Sequence, residues 1–201
     1  MEYKRVPLIS FAINFVADSK QVPDGKLGLH GAAMSLMTTA GSVNYTATEI
    51  EENIAYLGAS LNSDSDGYGG YASMQMMTKD LDFCLDMFFD LLRNPSFQQD
   101  RIDLWKEKRL AKMRERNDHP RTIEAIESRR LMYEDYKLRI STSATINSIS
   151  LDDLKDWHQK WVNPDNFVIT ISGDFDKTEM TAELEKRLKN WPKSDSKISN
   201  R

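Results

Sequence analysis

Cysteine is nearly absent from this chain, and several features that would classify it at once are missing. The one cysteine, Cys84, cannot form an internal disulfide. Its place among apolar residues at helical spacing predicts a small buried side chain. No apolar run reaches the length that a membrane-spanning helix needs. The motifs G-x-S-x-G and C-x-x-C, the P-loop and the dinucleotide fingerprint do not occur. These absences exclude a disulfide-stabilised scaffold and leave no signature of a serine hydrolase or a nucleotide-binding enzyme.

Positive charge is not in excess either. The 201 residues contain 27 Lys and Arg against 31 Asp and Glu, a net charge of −4, and the basic residues are scattered along the chain. This balance does not favour a nucleic-acid-binding surface. The length and the 40% of hydrophobic residues suit one domain with a substantial core. We predict a single domain over residues 1–192 and a polar tail over 193–201, which is either the cut end of a longer chain or a linker to a second domain.

Helical patterns dominate the chain, and the clearest pair lies near the N-terminus. Residues 27–38 are apolar and small, which predicts a buried helix. A second helix is predicted to begin after Thr46, because Thr46 and Glu49 have the spacing of a capping box. Gly58 suits the left-handed position just past its end. Further helices are predicted at residues 79–92, 98–116, 122–133, 151–161 and 177–188. The dense charges of residues 98–116 are interpreted as a solvated face.

Four segments have the alternation or the apolar character of strands, at residues 6–16, 59–65, 68–77 and 167–172. Asp66-Gly67 predicts a hairpin between the second and the third segment. The apolar run of the fourth segment, residues 167–172, predicts a strand that is buried along nearly its whole length. In the helix after the charged one we expect Ile123, Ile126 and Met132 to point inward. Paired strands between groups of helices predict an α+β fold, with an antiparallel or mixed sheet packed against helices.

A set of short sequence phrases occurs in a defined order between residues 6 and 192. They are Gly28-Leu29, Gly41-Ser42, Leu57-Gly58-Ala59, Asn94-Pro95-Ser96-Phe97, Arg116-Asn117-Asp118-His119-Pro120, Asp153-Leu154, Trp157, Trp161, Asn163-Pro164-Asp165-Asn166 and Gly173-Asp174. In this order and spacing they resemble the pitrilysin/insulinase-type metallopeptidase family, with its bacterial zinc proteases and its mitochondrial-processing-peptidase relatives. The resemblance implies one processing-peptidase-like sandwich domain. It also implies a protein with two such domains per half, whose paired halves close a chamber around peptide substrates.

Active members of that family hold zinc through an inverted H-x-x-E-H motif on the first helix. Its two histidines are ligands, and its glutamate is the general base. When this chain is aligned on Gly28-Leu29, the motif positions hold Gly31, Met34 and Ser35. When it is aligned on Gly41, they hold Ala32, Ser35 and Leu36. In both alignments every motif residue is replaced.

The third zinc ligand of the family is a second glutamate in the charged helix. The gap-free run between Asn94 and Pro120 places Lys112 at that position. A lysine ammonium would repel a metal cation, and glycine, methionine and alanine offer no hard nitrogen or oxygen ligand. We therefore predict that this chain has no catalytic, cofactor-binding or metal-binding residue. Zinc is expected only on a catalytic partner.

The histidines and the acidic pair of the sequence do not supply another site. His30 precedes the motif position, has no partner histidine at i+4, and is interpreted as a packed or partly exposed side chain. We place His119 in a turn and His158 on a solvent-facing helical position. Asp152 and Asp153 are interpreted as charge at a helix N-terminus and not as a catalytic pair.

The resemblance leads to one main hypothesis and two alternatives. The main one is a catalytically silent domain that pairs with a zinc-bearing domain or subunit of the same family and encloses peptide substrates. The alternatives are an active zinc metalloendopeptidase with atypical ligands and a non-enzymatic assembly subunit. A second copy of the chain is a further candidate partner, because an uncovered apolar surface tends to self-associate. Neither nucleic acid nor a membrane span is expected, and the compartment, bacterial periplasm or cytoplasm, stays open.

Overall fold

The fold is built on a four-stranded sheet. The computed structural model describes residues 6–65, 69–117, 120–132, 140–192 and 196. Its strands are β1 (Leu8–Phe15), β2 (Ser60–Ser65), β3 (Gly70–Met77) and β4 (Phe167–Gly173). They lie in the order β2-β3-β1-β4, and every neighbouring pair is antiparallel. The predicted α+β class is confirmed, and the predicted Asp66-Gly67 turn lies outside the described residues.

Eight α-helices accompany this sheet in the described part of the chain. They are α1 (Leu29–Met37), α2 (Ala47–Leu57), α3 (Leu81–Arg93), α4 (Gln99–Asn117), α5 (Pro120–Met132), α6 (Ser143–Asn147), α7 (Leu151–Trp161) and α8 (Lys177–Leu188). The predicted bounds agree to within about two residues, except that the short helix α6 has no counterpart among the predicted helices. None of the described helices is long and apolar enough to cross a membrane.

The core lies between one face of the sheet and the helices packed on it. Alternate residues of β1 point into this core, among them Ile9 and Phe11, which are at most 1% exposed. Phe11 meets Phe88 of α3 edge to face, with ring centroids 5.3 Å apart. Cys84 of α3 is buried as predicted. Burial raises the pKa of its thiol to about 11, and the nearby Asp80 carboxylate adds to this effect.

Helix α2 begins with a reciprocal capping box. Thr46 Oγ1 accepts a hydrogen bond from the Glu49 backbone N–H at 3.2 Å, and Glu49 Oε2 accepts one from the Thr46 backbone N–H at 2.8 Å. The backbone N–H and the hydroxyl of Thr46 hold the pKa of Glu49 below its usual range. Gly58, with a φ of 59°, closes the other end of the helix. Both predicted ends of α2 are therefore confirmed.

Thr46→Ala is expected to lower the free energy of unfolding by about 1 kcal/mol, because it removes the side-chain acceptor for the Glu49 N–H. Thr48→Ala is the matched control. Thr48 is exposed inside the same helix, where alanine has the higher helix propensity. Urea unfolding followed by circular dichroism measures both variants. Equal losses of stability in the two would contradict the role assigned to the capping box.

Strand β4 differs from its prediction. Nearly continuous burial of residues 167–172 is wrong, because exposure alternates along the strand, with Val168 60% exposed and Phe167 and Ile169 half-buried. β4 forms an edge of the antiparallel sheet, and such a sheet commonly packs only one face on its core. The apolar run of β4 therefore supplies residues to both faces, and Val168 lies on the outer one.

Two of the three inward positions predicted in α5 are also wrong, whereas the third, Ile126, is half-buried. Ile123 is 44% exposed and Met132 is 70% exposed. Helical spacing indicates which residues share a face, but the face that becomes covered depends on neighbouring elements. Helix α5 has contacts with α4, but both side chains lie on a side of the helix that stays exposed.

Candidate functional site

Helix α1 has two faces of different chemistry. Its inner face carries Ala32 and Leu36, which are 0% and 2% exposed, against the core. Gly31 and Ser35, one turn apart, instead line a cleft. Because residues four apart lie on the same side of a helix, the two cleft residues form one small, polar patch.

The cleft has a volume of about 970 Å³ and lies between α1, the end of β2 and α4. Ser65 borders it from β2, and Trp105 borders it from α4. An ideal Cβ on Gly31 would lie 3.4 Å from Ser65 Oγ. A side chain at this position would therefore enter the space beside β2. Glycine leaves that space open.

The structure distinguishes between the two alignments of the metal motif. Gly31 and Ser35 line the same cleft as Lys112 of α4. Ala32 and Leu36, which belong to the second alignment, are buried in the core. Only the alignment on Gly28-Leu29 therefore brings the ligand positions of α1 into one cleft with the third-ligand position of α4.

The position of the family's general base belongs to the core. Met34 is 0% exposed and is not among the residues that line the cleft. A Cβ on Gly70 of β3 would overlap the Met34 sulfur, so the thioether packs directly against this strand. A thioether is only a weak hydrogen-bond acceptor and does not serve as a general base for water. The helix therefore offers no base at this position.

The residues at the three ligand positions do not fit a zinc ion. Gly31 has no side chain, Ser35 offers a neutral hydroxyl, and Lys112 offers an ammonium, whereas zinc takes thiolate, imidazole or carboxylate ligands. Among the residues that the structure describes, no three His, Cys, Asp or Glu side chains are grouped so that they could hold a metal ion. That the chain carries no zinc stays a prediction.

Charged side chains of α4 dominate the cleft instead. Among the residues that the structure describes, the charged groups lining it are the cations Lys108, Arg109, Lys112 and Arg116 and the carboxylates Asp64 and Glu115. Three of the cations recur every four residues and so share one side of α4. The interpretation of this helix as a solvated face therefore missed that one side borders a cleft. The four-residue spacing of the cations was the signal available in the sequence.

Comparison with family models decides the membership of the chain. The model described as Insulinase (Peptidase family M16) matches residues 31–145, which is more than half of the chain. The chain belongs to the insulinase family of peptidases. A second model, described as Peptidase M16 inactive domain, matches residues 148–201 of this insulinase-family chain. The predicted resemblance is thus confirmed. The comparison with curated proteins found no match.

Solved structures share the fold of this insulinase-family chain. A peptidase M16 inactive domain from Pseudomonas fluorescens has a TM-score of 0.86 at 21% identity, covering 100% of this chain and 49% of that chain. The periplasmic protease PqqL from Escherichia coli has a TM-score of 0.85 at 15% identity, covering 100% and 24%. A protease from Helicobacter pylori has a TM-score of 0.78 at 16% identity, covering 98% and 49%. This chain spans about half of two of these structures and about a quarter of PqqL.

His30 of the insulinase-family chain is a packed side chain beside the cleft. It is 3% exposed, and its ring centroid lies 5.3 Å from that of Trp157 of α7. The residue also belongs to the lining of the cleft, next to Gly31. Of the two interpretations offered by the sequence, a packed and a partly exposed ring, the structure supports the first.

His158 is not on the solvent side of α7, so that prediction is wrong. The residue is 8% exposed, and its Nε2–H donates a hydrogen bond to the Leu92 carbonyl oxygen at 2.8 Å. Burial lowers the pKa of His158 to about 4, against the smaller opposing effect of the Leu92 carbonyl. The imidazole is therefore neutral at pH 7 and joins α7 to the end of α3. His119 lies outside the described residues.

The acidic pair at the start of α7 has the helix-terminal role that was predicted. Ser150 caps the helix, and Asp153 Oδ2 accepts a hydrogen bond from the Ser150 backbone N–H at 2.7 Å. Lys26 donates to the same oxygen at 2.6 Å. Partial burial raises the pKa of Asp153, but the hydrogen bonds from Lys26 and Ser150 outweigh it and hold the pKa below its usual range. Sequence reasoning missed Lys26, which lies 127 residues away.

Proposed function

We propose that this chain is a catalytically silent domain of an insulinase-family peptidase, which pairs with a zinc-bearing domain or subunit and encloses peptide substrates. The observation that carries the proposal is the cleft between α1 and α4, where Gly31, Ser35 and Lys112 stand at the ligand positions. Membership of the family supplies the reaction class, peptide hydrolysis. The side chains in the cleft supply the physical reason for silence.

Metal-dependent peptide hydrolysis needs a cation that activates water and a base that takes its proton. In this chain Lys112 adds positive charge where a carboxylate ligand would stand, and Met34 is buried in the place of the base. The hydrolytic step therefore falls to a partner with an intact H-x-x-E-H motif. Solved structures of which this chain spans about half or less support a role as one part of a larger enclosure.

The purified chain, incubated with zinc and freed of the excess, is expected to retain less than about 0.1 equivalent of zinc, because its ligand positions carry no zinc ligand. A structured site would bind the ion tightly and keep it. Elemental analysis measures the zinc. A peptidase assay with an unstructured peptide, with and without chelator, is expected to show no cleavage. His30→Ala is the control variant, because His30 is a potential ligand in the cleft. About one equivalent of zinc that disappears in His30→Ala would favour an active peptidase with atypical ligands.

Pairing is tested by co-expressing the chain with a peptidase from the same genome that carries H-x-x-E-H. The expected outcome is a stable complex, measured by light scattering after gel filtration, together with higher peptidase activity than the partner alone has. Absence of both the complex and the gain in activity would refute pairing with that partner. Stable association with a large assembly, without an effect on any protease, would instead favour the assembly role.

A further inference from the structure

A row of cations on α4 borders the cleft. Lys108, Lys112 and Arg116 recur every four residues, and Arg109 lines the cleft with them. Among the ion pairs of the described chain, none involves any of these four side chains. Like charges four residues apart destabilise a helix. This repulsion weakens α4, and Glu115, three residues after Lys112, offsets part of it. An anion bound in the cleft would reduce it further.

Two arginines elsewhere in the fold have carboxylate partners, whereas no carboxylate of the described residues pairs with the row. Arg101 Nη1 lies 2.6 Å from Glu51 Oε1, and Arg187 Nη2 lies 2.8 Å from Asp86 Oδ1. Both pairs join residues that are far apart in the chain, so the fold does bring carboxylates to some of its arginines. At the cleft it brings cations together and leaves them facing an open space of about 970 Å³.

Arg116 adds a guanidinium to the lining of the cleft. Its side chain is half-buried, and its Nε has no hydrogen-bond partner within the described chain. The planar guanidinium matches a carboxylate through paired hydrogen bonds. A carboxylate that entered the cleft would meet the part of this guanidinium that lines it, whereas the Nε has almost no exposed surface and stays out of its reach.

The remaining lining of the cleft fits a peptide better than a nucleic acid. The carboxylates of Asp64 and Glu115 would repel any anion, phosphate or carboxylate, but a peptide also offers them backbone N–H donors, which a phosphate backbone does not. The hydroxyls of Ser35 and Ser65 both donate and accept hydrogen bonds. The net charge of −4 adds no long-range attraction for nucleic acid.

We propose that this cleft binds a peptide segment rich in glutamate or aspartate, whose carboxylates are held by Lys108, Lys112 and Arg116. The inference rests on the proposed function for its choice of a peptide ligand, and it adds the chemical class that the enclosure selects. Because the lysines are exposed, salt screens much of their attraction. Binding is therefore strong at low ionic strength and falls as salt is added.

Fluorescence anisotropy tests this with two labelled peptides, one of alternating glutamate and alanine, the other with glutamine in place of each glutamate. The full chain is expected to bind the acidic peptide at least about tenfold more tightly at about 50 mM salt, and the preference should shrink at about 300 mM. Lys108→Gln combined with Lys112→Gln is expected to weaken acidic-peptide binding about tenfold. Arg114→Gln is the matched control, because Arg114 is exposed on the same helix outside the cleft lining. Its affinity should equal that of the unchanged chain.

Equal affinity for the two peptides, or acidic-peptide binding that the double variant leaves unchanged, would overturn the inference. Displacement of the acidic peptide by single-stranded oligothymidine at lower concentration than by unlabelled acidic peptide would assign the cleft to nucleic acid and also overturn the inference.

The two proposals fail separately. If the complex with a zinc-bearing partner forms and acidic peptide does not bind, only this inference is lost. If acidic peptide binds and no partner is found, pairing alone is lost.

Discussion

Gly173→Ala is expected to destabilise the chain by at least about 3 kcal/mol. Gly173 has a φ of 131°, a region that residues with a side chain rarely adopt. An ideal Cβ there would lie 2.9 Å from Ile9 Cα and would overlap the Leu8 carbonyl oxygen. These are backbone atoms of β1, the central neighbour of β4. They cannot move aside without disturbing the pairing of the two strands.

Gly25→Ala is the matched control for this substitution. An ideal Cβ on Gly25 would have no atom within 4 Å. A Gly→Ala change at a compatible site is neutral or stabilises by up to about 1 kcal/mol, because it restricts the unfolded chain. Urea unfolding followed by circular dichroism compares the two variants with the unchanged chain. If Gly173→Ala unfolded at the same urea concentration as Gly25→Ala, the close approach of β4 to β1 would be refuted.

Acidification from pH 6.5 to pH 4 is expected to lower the free energy of unfolding by about 3 kcal/mol through His158. The unfolded chain binds a proton at the ordinary histidine pKa of 6.5, whereas the folded chain does so only near its pKa of about 4. Between these values the unfolded state holds more protons, so stability falls as the pH falls. The contribution of the neutral His158 is fully present above pH 6.5 and is lost below about pH 4.

Unfolding free energies measured in urea at several pH values test this expectation. His158→Gln keeps an N–H donor for the Leu92 carbonyl and removes the titrating ring. Its stability should therefore change much less between pH 6.5 and pH 4. Asp153→Asn is the control. A carboxylate with a lowered pKa stabilises the folded state above its unfolded pKa of 3.8 and loses that contribution at lower pH. Its removal should therefore leave the loss of stability between pH 6.5 and pH 4 in place. A slope that persisted in His158→Gln would show that another group carries the acid sensitivity.

Helix boundaries were the part of the fold that sequence reasoning predicted best. The capping box of Thr46 and Glu49 and the left-handed Gly58 set the ends of α2 as expected. Such signals act between residues a few positions apart, so they do not depend on the rest of the chain. The predictions that failed concerned burial. Val168 of β4 and Met132 of α5 are exposed, because the covering of a face depends on distant elements.

The candidate site was predicted as a set of replaced residues but not as a surface. Assigning Lys112 to the third-ligand position needed only the gap-free alignment between Asn94 and Pro120. The cleft that it shares with Gly31 and Ser35 required α1 and α4 to pack together. The cation row was interpreted as a solvated face, because spacing alone does not indicate what lies opposite a helix.

The sequence by itself determined the family, the α+β class, the position of nearly every helix, and the residue types at the motif positions. Those features follow from local patterns and from side-chain chemistry. Only the tertiary structure decided between the two motif alignments, buried His158, and turned the cations of α4 toward a cleft. These outcomes depend on residues far apart in the chain. His158 and Leu92, for example, are 66 residues apart and meet only when α7 packs against the end of α3.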